Sequence, residues 1–326
     1  MNGYIKVQNL LKIYKISSFN FLKRKIYKIV ALKDISFEIH PGEIVGYIGP
    51  NGAGKTTTIK ILSGILYPTS GSISVNGFNP FDKKDKRIYK KSIGVMLGQH
   101  LRLIRDLPVK DSFLLLGKIY EIPKNKIYEK IEKLSEVLQI NELLDQQVRT
   151  LSLGQRTRCE LLATFLHSPQ VLFLDEPTIG VDISTRHRVY EFIKKINKEN
   201  NVTVIITSHD IYDIEMLTER IILIDNGEIL FDGKKEDFIK RFGVNRKRIF
   251  IDMEMLIKKE KLVKFFITEN ANVLELDEYK IVLEVNSDVK ITELLKEIEK
   301  YGAIKDVHIE RESLRDVIKR IYETKI

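Results

Sequence analysis

The feature that most constrains this chain is a glycine-rich segment, Gly49-Pro50-Asn51-Gly52-Ala53-Gly54-Lys55-Thr56-Thr57, which matches the pattern G-x-x-x-x-G-K-[ST]. The run from Glu43 to Ile48 before it predicts a buried strand, and the stretch from Thr57 to Leu62 after it has apolar residues at helical spacing. Glycines let a backbone wrap phosphate groups closely, and the following helix points its positive dipole end at them. Lys55 can then reach the β- and γ-phosphates, and the Thr56 hydroxyl can ligate Mg²⁺. The sequence therefore predicts a nucleoside triphosphate site.

Length and composition limit the class of protein. The 326 residues suffice for one large domain with a small one, or for two medium domains. No apolar run approaches the roughly 18 to 20 residues that a membrane span needs. The start of the chain, Met1 to Lys6, alternates like a strand and lacks the apolar core of a signal peptide. The single cysteine, Cys159, excludes an internal disulfide framework and favours a reducing compartment, and we expect a small buried thiol there.

The chain is basic, with a net charge of +9 and an isoelectric point near 9.2. Such a balance favours anionic partners, either nucleic acid or a membrane surface. The lysines are scattered, however, and a lysine-rich surface without special meaning has the same composition. Charge alone does not decide between these readings.

A second informative segment is Val171-Leu172-Phe173-Leu174-Asp175-Glu176-Pro177, an apolar run that ends in two acids. The run predicts a buried strand. A carboxylate at the end of a strand beside the glycine-rich loop can hold Mg²⁺, which is the role we assign to Asp175. Glu176, one residue further on, can polarise a water molecule as a general base.

Shortly before that strand lies Leu151-Ser152-Leu153-Gly154-Gln155, followed by a helical run from Arg156 to His167. Ser152 and the backbone around Gly154, at a helix N-terminus, predict an anion-binding site. A serine before a helix is also a common structural cap. Its position about 20 residues before an acidic-pair strand favours the functional interpretation.

Together these motifs resemble those of the ATP-binding-cassette (ABC) ATPases. The segment from Gly49 to Thr56 matches Walker A, and Val171 to Asp175 matches Walker B, with Glu176 at the position of the catalytic glutamate. Leu151 to Gln155 matches the signature sequence. The remaining matches are single residues in order: Gln99 at the Q-loop position, Asp182 in the D-loop, and His209, after a predicted strand from Val202 to Ile206, at the switch histidine. The resemblance covers about residues 4 to 240.

One departure is visible in the signature, where Leu153 stands in place of the usual glycine. A side chain there removes backbone freedom that glycine would give. The flanking phrases around Gln99, Asp106 and Asp182 resemble a bacterial and archaeal subgroup near the daunorubicin-exporter type, which tends to carry this variant. We therefore expect full ATPase competence.

The resemblance implies an α/β protein with the P-loop NTPase fold of ABC ATPases over residues 1–240: a RecA-like core, an antiparallel β subdomain and a helical subdomain. It further implies a head-to-tail dimer, either a homodimer or a paired cassette, with ATP between the P-loop of one subunit and the signature of the other. Two cassettes would then supply donors to the triphosphate from opposite directions. A membrane-spanning permease on a separate chain is the implied partner, which places the protein on the cytoplasmic face of the cell membrane.

The family's functional positions carry over as three sets of residues. The catalytic set is Glu176, His209, Lys55 and Gln99. The metal set, for Mg²⁺, is Thr56, Gln99 and Asp175. The ATP-binding set is Tyr14, Gly49, Pro50, Asn51, Gly52, Ala53, Gly54, Lys55, Thr56, Thr57, Ser152, Gly154, Gln155 and Asp182.

Two questions stay open near the N-terminus. Tyr14 matches the family's adenine-stacking aromatic position, but Tyr27 is a rival, and either can instead belong to the core. The segment from Phe19 to Lys28 is an insertion of basic and aromatic residues. It can line an anionic lipid surface or form a solvated hairpin, and the sequence does not choose.

The rest of the chain predicts two further regions. Residues 110–149 are helix-like, with Ile127, Ile131, Leu134 and Leu138 at helical spacing and with Pro108 and Pro123 as punctuation. Residues 241–326 predict a small α+β domain of alternating strands and helices that suits a ferredoxin-like sandwich, with Ser313 capping its last helix. A regulatory or dimerising role and a passive cap are both open for it.

Two alternative functions agree less well with the sequence than a transport ATPase does. A cassette acting on nucleic acid or ribosomes fits the basic charge, but translation-type cassettes usually carry two motif sets and chromosome-type ones a long coiled coil, and this chain has neither. Nucleic acid is therefore the weaker expectation. A hydrolysis-dead regulatory cassette conflicts with the retained Lys55, Asp175, Glu176 and His209.

Overall fold

The computed structural model describes residues 3–20, 23–98, 102–243, 246–254, 271–286 and 288–324. The chain forms two compact units, Met1–Lys234 and Lys235–Ile326. Along the chain, the division falls between residues 234 and 235, ahead of the expected boundary at 240/241. No helix in these described ranges is long and apolar enough to cross a membrane.

The described elements follow in chain order. The strands are β1 (Ile5–Asn20), β2 (Lys23–Ile39), β3 (Ile44–Ile48), β4 (Ser70–Val75), β5 (Ile93–Leu97), β6 (Val171–Asp175), β7 (Thr203–Thr207), β8 (Arg220–Asp225), β9 (Glu228–Lys234), β10 (Arg246–Met253), β11 (Asn272–Leu276), β12 (Lys280–Asn286) and β13 (Ile304–Arg311). The helices are α1 (Lys55–Leu62), α2 (Lys86–Ser92), α3 (Val109–Ile119), α4 (Lys124–Leu138), α5 (Leu153–Phe165), α6 (Ile183–Asn200), α7 (Ile211–Leu217), α8 (Lys235–Phe242), α9 (Ile291–Glu299) and α10 (Leu314–Thr324).

The N-terminal unit is built on a six-stranded sheet in the order β5-β6-β7-β3-β8-β9. Its first five strands are parallel and β9 is antiparallel. Both β6 and β7 are buried along their whole length, as their apolar sequences predict. Because the carboxyl ends of parallel strands meet at one edge, the loops after β3, β6 and β7 converge there. Those loops carry the P-loop, the acidic pair and His209.

A second, antiparallel sheet in the order β2-β1-β4 shares the core of this unit. Val45 and Ile222 of the first sheet, Ile59 of α1 and Leu10 of β1 are all 0% exposed within one apolar cluster. Burying an aliphatic side chain of this size contributes about 1.5–3 kcal/mol. The helix α1 is thereby fixed between the sheets, with its N-terminus at the end of β3.

The helical region agrees with the predicted periodicity. Helix α4 buries Ile127, Ile131, Leu134 and Leu138, and Pro108 and Pro123 stand immediately before α3 and α4. Cys159 lies buried in α5, and burial raises the pKa of its thiol to about 12. A thiol with so high a pKa is an inert core group, as expected.

The C-terminal unit contains an antiparallel sheet in the order β11-β12-β10-β13. If β10, β11, β12 and β13 are counted as strands 1 to 4, their order in the sheet is 2-3-1-4, which is the order of a ferredoxin-like sheet. Ile251, Leu283 and Ile298 of α9 lie in one buried cluster on it. The helix that the sequence predicts between β10 and β11 falls on residues 255–270, outside the described residues. Ser313 caps α10, because its Oγ accepts a hydrogen bond from the Asp316 amide at 3.2 Å.

Candidate functional site

The glycine-rich loop forms a turn that only glycines can make at two positions. Gly54 begins α1 with φ of 113°, which is left-handed backbone. A Cβ at Gly49 would collide with the carbonyl oxygen of Ile224 on β8. At Gly52, by contrast, a Cβ would meet nothing within 4 Å, so the crown of the loop is open to a ligand.

Lys55 lies inside this loop. Its Nζ donates to the carbonyl oxygens of Gly49 at 2.6 Å and Pro50 at 3.1 Å, and the residue is 7% exposed. Burial lowers the pKa of Lys55, while the nearby charges of Glu176 and Asp175 act against that shift. The ammonium group is thus held at the loop by two backbone carbonyls, in the field of two nearby carboxylates.

Asp175 ends β6 directly beside α1. The Thr56 hydroxyl donates to one of its carboxylate oxygens at 3.0 Å, and the Thr207 hydroxyl donates to the other at 2.6 Å. The donor set of Thr56 and Asp175 consists of oxygens, the ligand type that Mg²⁺ prefers. These residues therefore fit the predicted metal position.

Glu176 has an unusual backbone conformation for a non-glycine residue, with φ of 57°. That conformation costs about 1 kcal/mol. The Glu176 amide compensates by donating to the Thr207 carbonyl and hydroxyl oxygens, each at 3.1 Å. Its backbone is therefore fixed to the end of β7.

The Glu176 carboxylate faces His209, whose Nε2 lies 3.0 Å from Glu176 Oε1. The Glu176 side chain is 15% exposed and that of His209 is 49% exposed. Burial raises the pKa of Glu176 above its ordinary value of 4.5, and the His209 charge is the largest effect opposing that rise. A carboxylate with a raised pKa is a stronger base than a solvated one.

The signature turn forms a reciprocal cap on α5. Ser152 Oγ accepts from the Gln155 amide at 3.3 Å, and Gln155 Oε1 accepts from the Ser152 amide at 2.9 Å. Leu153 begins α5 and packs against Gly180, where an added Cβ would lie 2.9 Å from Leu153 Cδ2. The leucine that departs from the usual signature therefore fits because the facing residue is glycine.

Asp182 caps the next helix, α6. Its carboxylate accepts from the Ser184 hydroxyl at 2.6 Å and from the Thr185 amide and hydroxyl at 2.9 and 2.7 Å. These hydrogen bonds hold the pKa of Asp182 well below its usual range. A Cβ on Gly154 would meet Thr185 Oγ1 at 2.9 Å, so the signature turn and the start of α6 lie against each other.

Two predicted residues need separate placement. Tyr14 Oη lies 3.4 Å from Thr57 Oγ1, whereas Tyr27 is 54% exposed further along the hairpin. The structure thus puts Tyr14, and not its rival, beside the P-loop helix. Gln99 lies outside the described residues; the Gly98 amide before it donates to the Asp175 carbonyl at 2.9 Å.

Three buried polar residues at the site were not singled out from the sequence. Thr207 contacts both acids, as described above. Asp213, 0% exposed, accepts hydrogen bonds from the hydroxyls of Thr178, Tyr190 and Ser208. Glu160 of α5 accepts hydrogen bonds from the Arg102 and Leu103 amides at 3.0–3.1 Å, and burial raises its pKa. None of these three residues belongs to a recognisable sequence motif. Only their positions at strand ends or inside helices could have identified them from the sequence.

We predict that Asp213→Ala will lower the free energy of unfolding by about 3 kcal/mol, because it leaves three buried hydroxyls without their acceptor. The midpoint of urea denaturation checks this. Glu219→Ala removes an exposed acid two residues after α7 and serves as the control. Equal midpoints for the two variants would contradict the structural role of Asp213.

The fold and these contacts define a P-loop nucleotide-binding protein with an acidic pair, a facing histidine and a second capped turn. Residues 32–179 match the family model described as ABC transporter. The linearmycin resistance ATP-binding protein LnrL of Bacillus subtilis is 34% identical over 222 residues, covering 68% of this chain and 70% of the relative. The chain belongs to the ATP-binding proteins of ABC transporters. It is an ATP-binding and ATP-hydrolysing subunit that works with a membrane component, as the sequence motifs predicted.

Two other relatives illustrate the range of the family. The doxorubicin resistance ATP-binding protein DrrA of Mycobacterium tuberculosis is 33% identical over 223 residues, covering 68% of this chain and 66% of the relative. The methionine import ATP-binding protein MetN 2 of Enterococcus faecalis is 32% identical over 232 residues, covering 71% and 67%. All these names favour transport over the nucleic-acid alternative.

The fold prediction is also confirmed by a solved structure. A dimeric, post-hydrolysis state of the ATP-binding cassette MJ0796 bound to ADP and Pi superposes with a TM-score of 0.61 at 25% identity. The match covers 71% of this chain and 98% of that one. The shared part is the cassette fold.

Proposed function

We propose that this protein closes with a second cassette on Mg²⁺–ATP and that the cycle of closing and opening drives export by a separate permease at the cytoplasmic face of the membrane. The observation that carries the proposal is one continuous set of contacts at the sheet edge. It runs from Thr56, the neighbour of Lys55, through Asp175 and Thr207 to Glu176 and His209.

Binding begins at the P-loop. The backbone N–H groups of the glycine-rich loop, of which Pro50 has none, and the N-terminus of α1 face the triphosphate, and Lys55 exchanges its carbonyl partners for phosphate oxygens. Thr56 and Asp175 would hold Mg²⁺, with Gln99 assigned to the same ion by the family resemblance, and the bound ion would neutralise charge on the phosphates. Tyr14 stacks on the adenine from the neighbouring sheet.

Hydrolysis depends on the carboxylate of Glu176. Its raised pKa and its mostly buried position let it take a proton from the attacking water. His209 is half exposed and faces that carboxylate, and we assign it the contact with the γ-phosphate. Thr207 positions both acids by holding the Asp175 carboxylate and the Glu176 amide.

The signature turn is assigned to the partner's nucleotide. Ser152, Gly154 and Gln155 form the N-terminus of α5, an anion-binding arrangement, and Asp182 lies against it. Within the described part of the chain, the contacts of Gly154 and Asp182 lead to the start of α6 and not to the P-loop. A second cassette therefore supplies the missing side of the pocket, and the dimeric MJ0796 structure supports this pairing.

Export is favoured by two of the three relatives, which are named for drug resistance, while the third is named for import. Inverted membrane vesicles containing this protein and its permease should accumulate substrate when ATP is added outside. Accumulation only in right-side-out vesicles, with ATP inside, would contradict export.

The purified protein alone tests the site. It should hydrolyse ATP in Mg²⁺ and stop when the ion is chelated, and its binding partner from membranes should be a polytopic protein. Undiminished hydrolysis after chelation would contradict the roles of Thr56 and Asp175.

We predict that His209→Ala moves the acid limb of kcat/KM to higher pH. The Glu176 base works when ionised, so activity is lost as pH falls through its raised pKa. Since the His209 charge lowers that pKa, its removal raises it further. A pH profile of the variant checks this, with His187→Ala on α6 as the control. An unmoved or lowered acid limb would contradict the coupling.

A further inference from the structure

The strands β1 and β2 continue past their sheet as a free two-stranded ribbon. The third strand, β4, makes its last pair with β1 at Leu11, opposite Ser70. From the pair Ile13–Val30 to the pair Asn20–Lys23, the register of β1 and β2 is regular over eight residue pairs. Eight residues of strand span about 26 Å. An unsupported two-stranded hairpin of this kind is marginally stable in water by itself.

The ribbon and its approaches are uniformly basic. Residues 1–33 contain eight lysine and arginine residues, and the first acid of the chain is Asp34. On the ribbon, the exposed pair Lys15–Lys28 lies directly across the two strands, with no ion pair to either among the described residues. Like charges placed opposite each other destabilise a hairpin. Lys23, Arg24 and Lys25 follow at its outer end.

Exposed apolar side chains accompany these charges. Ile16 and Tyr27 are cross-strand partners that are 49% and 54% exposed, and Ile29 and Val30 are 51% and 43% exposed. These residues occupy both faces of the ribbon, because Ile29 and Val30 are sequence neighbours on one strand. The ribbon thus combines uncovered apolar groups with a high density of positive charge.

We propose that this basic ribbon, through residues 15–20 and 23–30, docks onto the anionic headgroup surface of the membrane. The proposal goes beyond ATP hydrolysis and permease coupling, and it does not depend on the roles assigned to the site residues. Lysines near an anionic bilayer are attracted to its headgroups, and shallow insertion of Ile16 and Tyr27 removes apolar area from water.

A lipid surface fits this ribbon better than nucleic acid or a protein. The phosphates of a nucleic acid pair with basic side chains and its bases stack on aromatic rings, but aliphatic side chains such as Ile16, Ile29 and Val30 stay in water. A protein partner would need acidic groups for the lysines and apolar groups against both faces of the ribbon. A bilayer interface accepts both the charge and the aliphatic groups.

The test is co-sedimentation of the full-length protein with vesicles of phosphatidylcholine, with and without phosphatidylglycerol. Binding should require phosphatidylglycerol and should fall in high salt. The variant with Lys15, Lys23, Lys25 and Lys28 all changed to Gln should bind about 1,000-fold more weakly. The matched control changes four exposed lysines of another surface, Lys83, Lys84, Lys86 and Lys90, and should bind like the unaltered protein.

Several results would overturn the proposal. These are equal binding to vesicles without phosphatidylglycerol, equal loss in the control, no loss in the ribbon variant, or tighter binding to single-stranded RNA than to vesicles at physiological salt. ATPase activity without vesicles should be the same in the ribbon variant and the unaltered protein. That assay tests the site separately, so an inactive site and a ribbon that does not bind give different results.

Discussion

Replacing Glu176 with Gln will lower the turnover number for ATP by about 10³-fold while ATP still binds. The amide keeps the size of the side chain but cannot accept a proton from water. Its backbone should stay in place, because the Thr207 hydroxyl and carbonyl hold the amide nitrogen and not the carboxylate. Burial, which raises the pKa of Glu176, is the reason that this particular carboxylate is basic enough for the role.

The measurement is steady-state ATP hydrolysis beside a nucleotide-binding titration. Glu219→Gln makes the same chemical change at an exposed position and should leave both quantities unchanged. Turnover within a factor of a few of the unaltered protein would show that another group accepts the proton.

The second large effect concerns Lys55. Changing it to Ala should weaken ATP binding by about 100-fold, or about 3 kcal/mol, because two charge-assisted hydrogen bonds to phosphate are lost. The loop itself should persist, since its shape rests on glycines at 49 and 54 and on α1, not on the lysine alone. Calorimetric titration with ATP measures the loss directly.

Lys60→Ala, near the last turn of the same helix, is the matched control and should bind ATP normally. If Lys55→Ala binds ATP as tightly as Lys60→Ala does, the P-loop assignment fails. Reduced binding in both variants would instead indicate that α1 had been damaged.

Much of the nucleotide edge was predictable because its residues stand in short, continuous motifs. The buried strands β3 and β6 follow directly from their apolar runs, and the convergence of their ends follows from a parallel sheet. The placement of Thr56 beside Asp175 is therefore a consequence of order and spacing. The family confirmed this reading of the chain as a transport cassette.

Other parts could not be predicted because they depend on contacts between distant residues. The fit of Leu153 depends on Gly180, and the anchoring of the loop before His209 depends on Asp213. The length of the β1–β2 ribbon depends on where β4 stops pairing, which the alternation within β1 does not reveal. Strand register and the burial of single polar residues are set by the packing of the whole chain, not by the local sequence.

The C-terminal unit shows the same limit. Its alternation of strands and helices was predicted from the sequence, and the capping of α10 by Ser313 was predicted from the residue type. The strand order β11-β12-β10-β13 required the pairing of β10 with both β12 and β13. A regulatory or dimerising role for this unit stays a prediction.

The pairing of two cassettes around ATP is tested most directly by the mass of the Glu176→Gln variant in solution, measured by light scattering during gel filtration. With Mg²⁺ and ATP the variant should elute at twice the mass of the chain, and without nucleotide it should elute as a single copy. Single copies carrying bound ATP at saturation would contradict a pocket completed by the Ser152 and Gly154 turn of a second cassette.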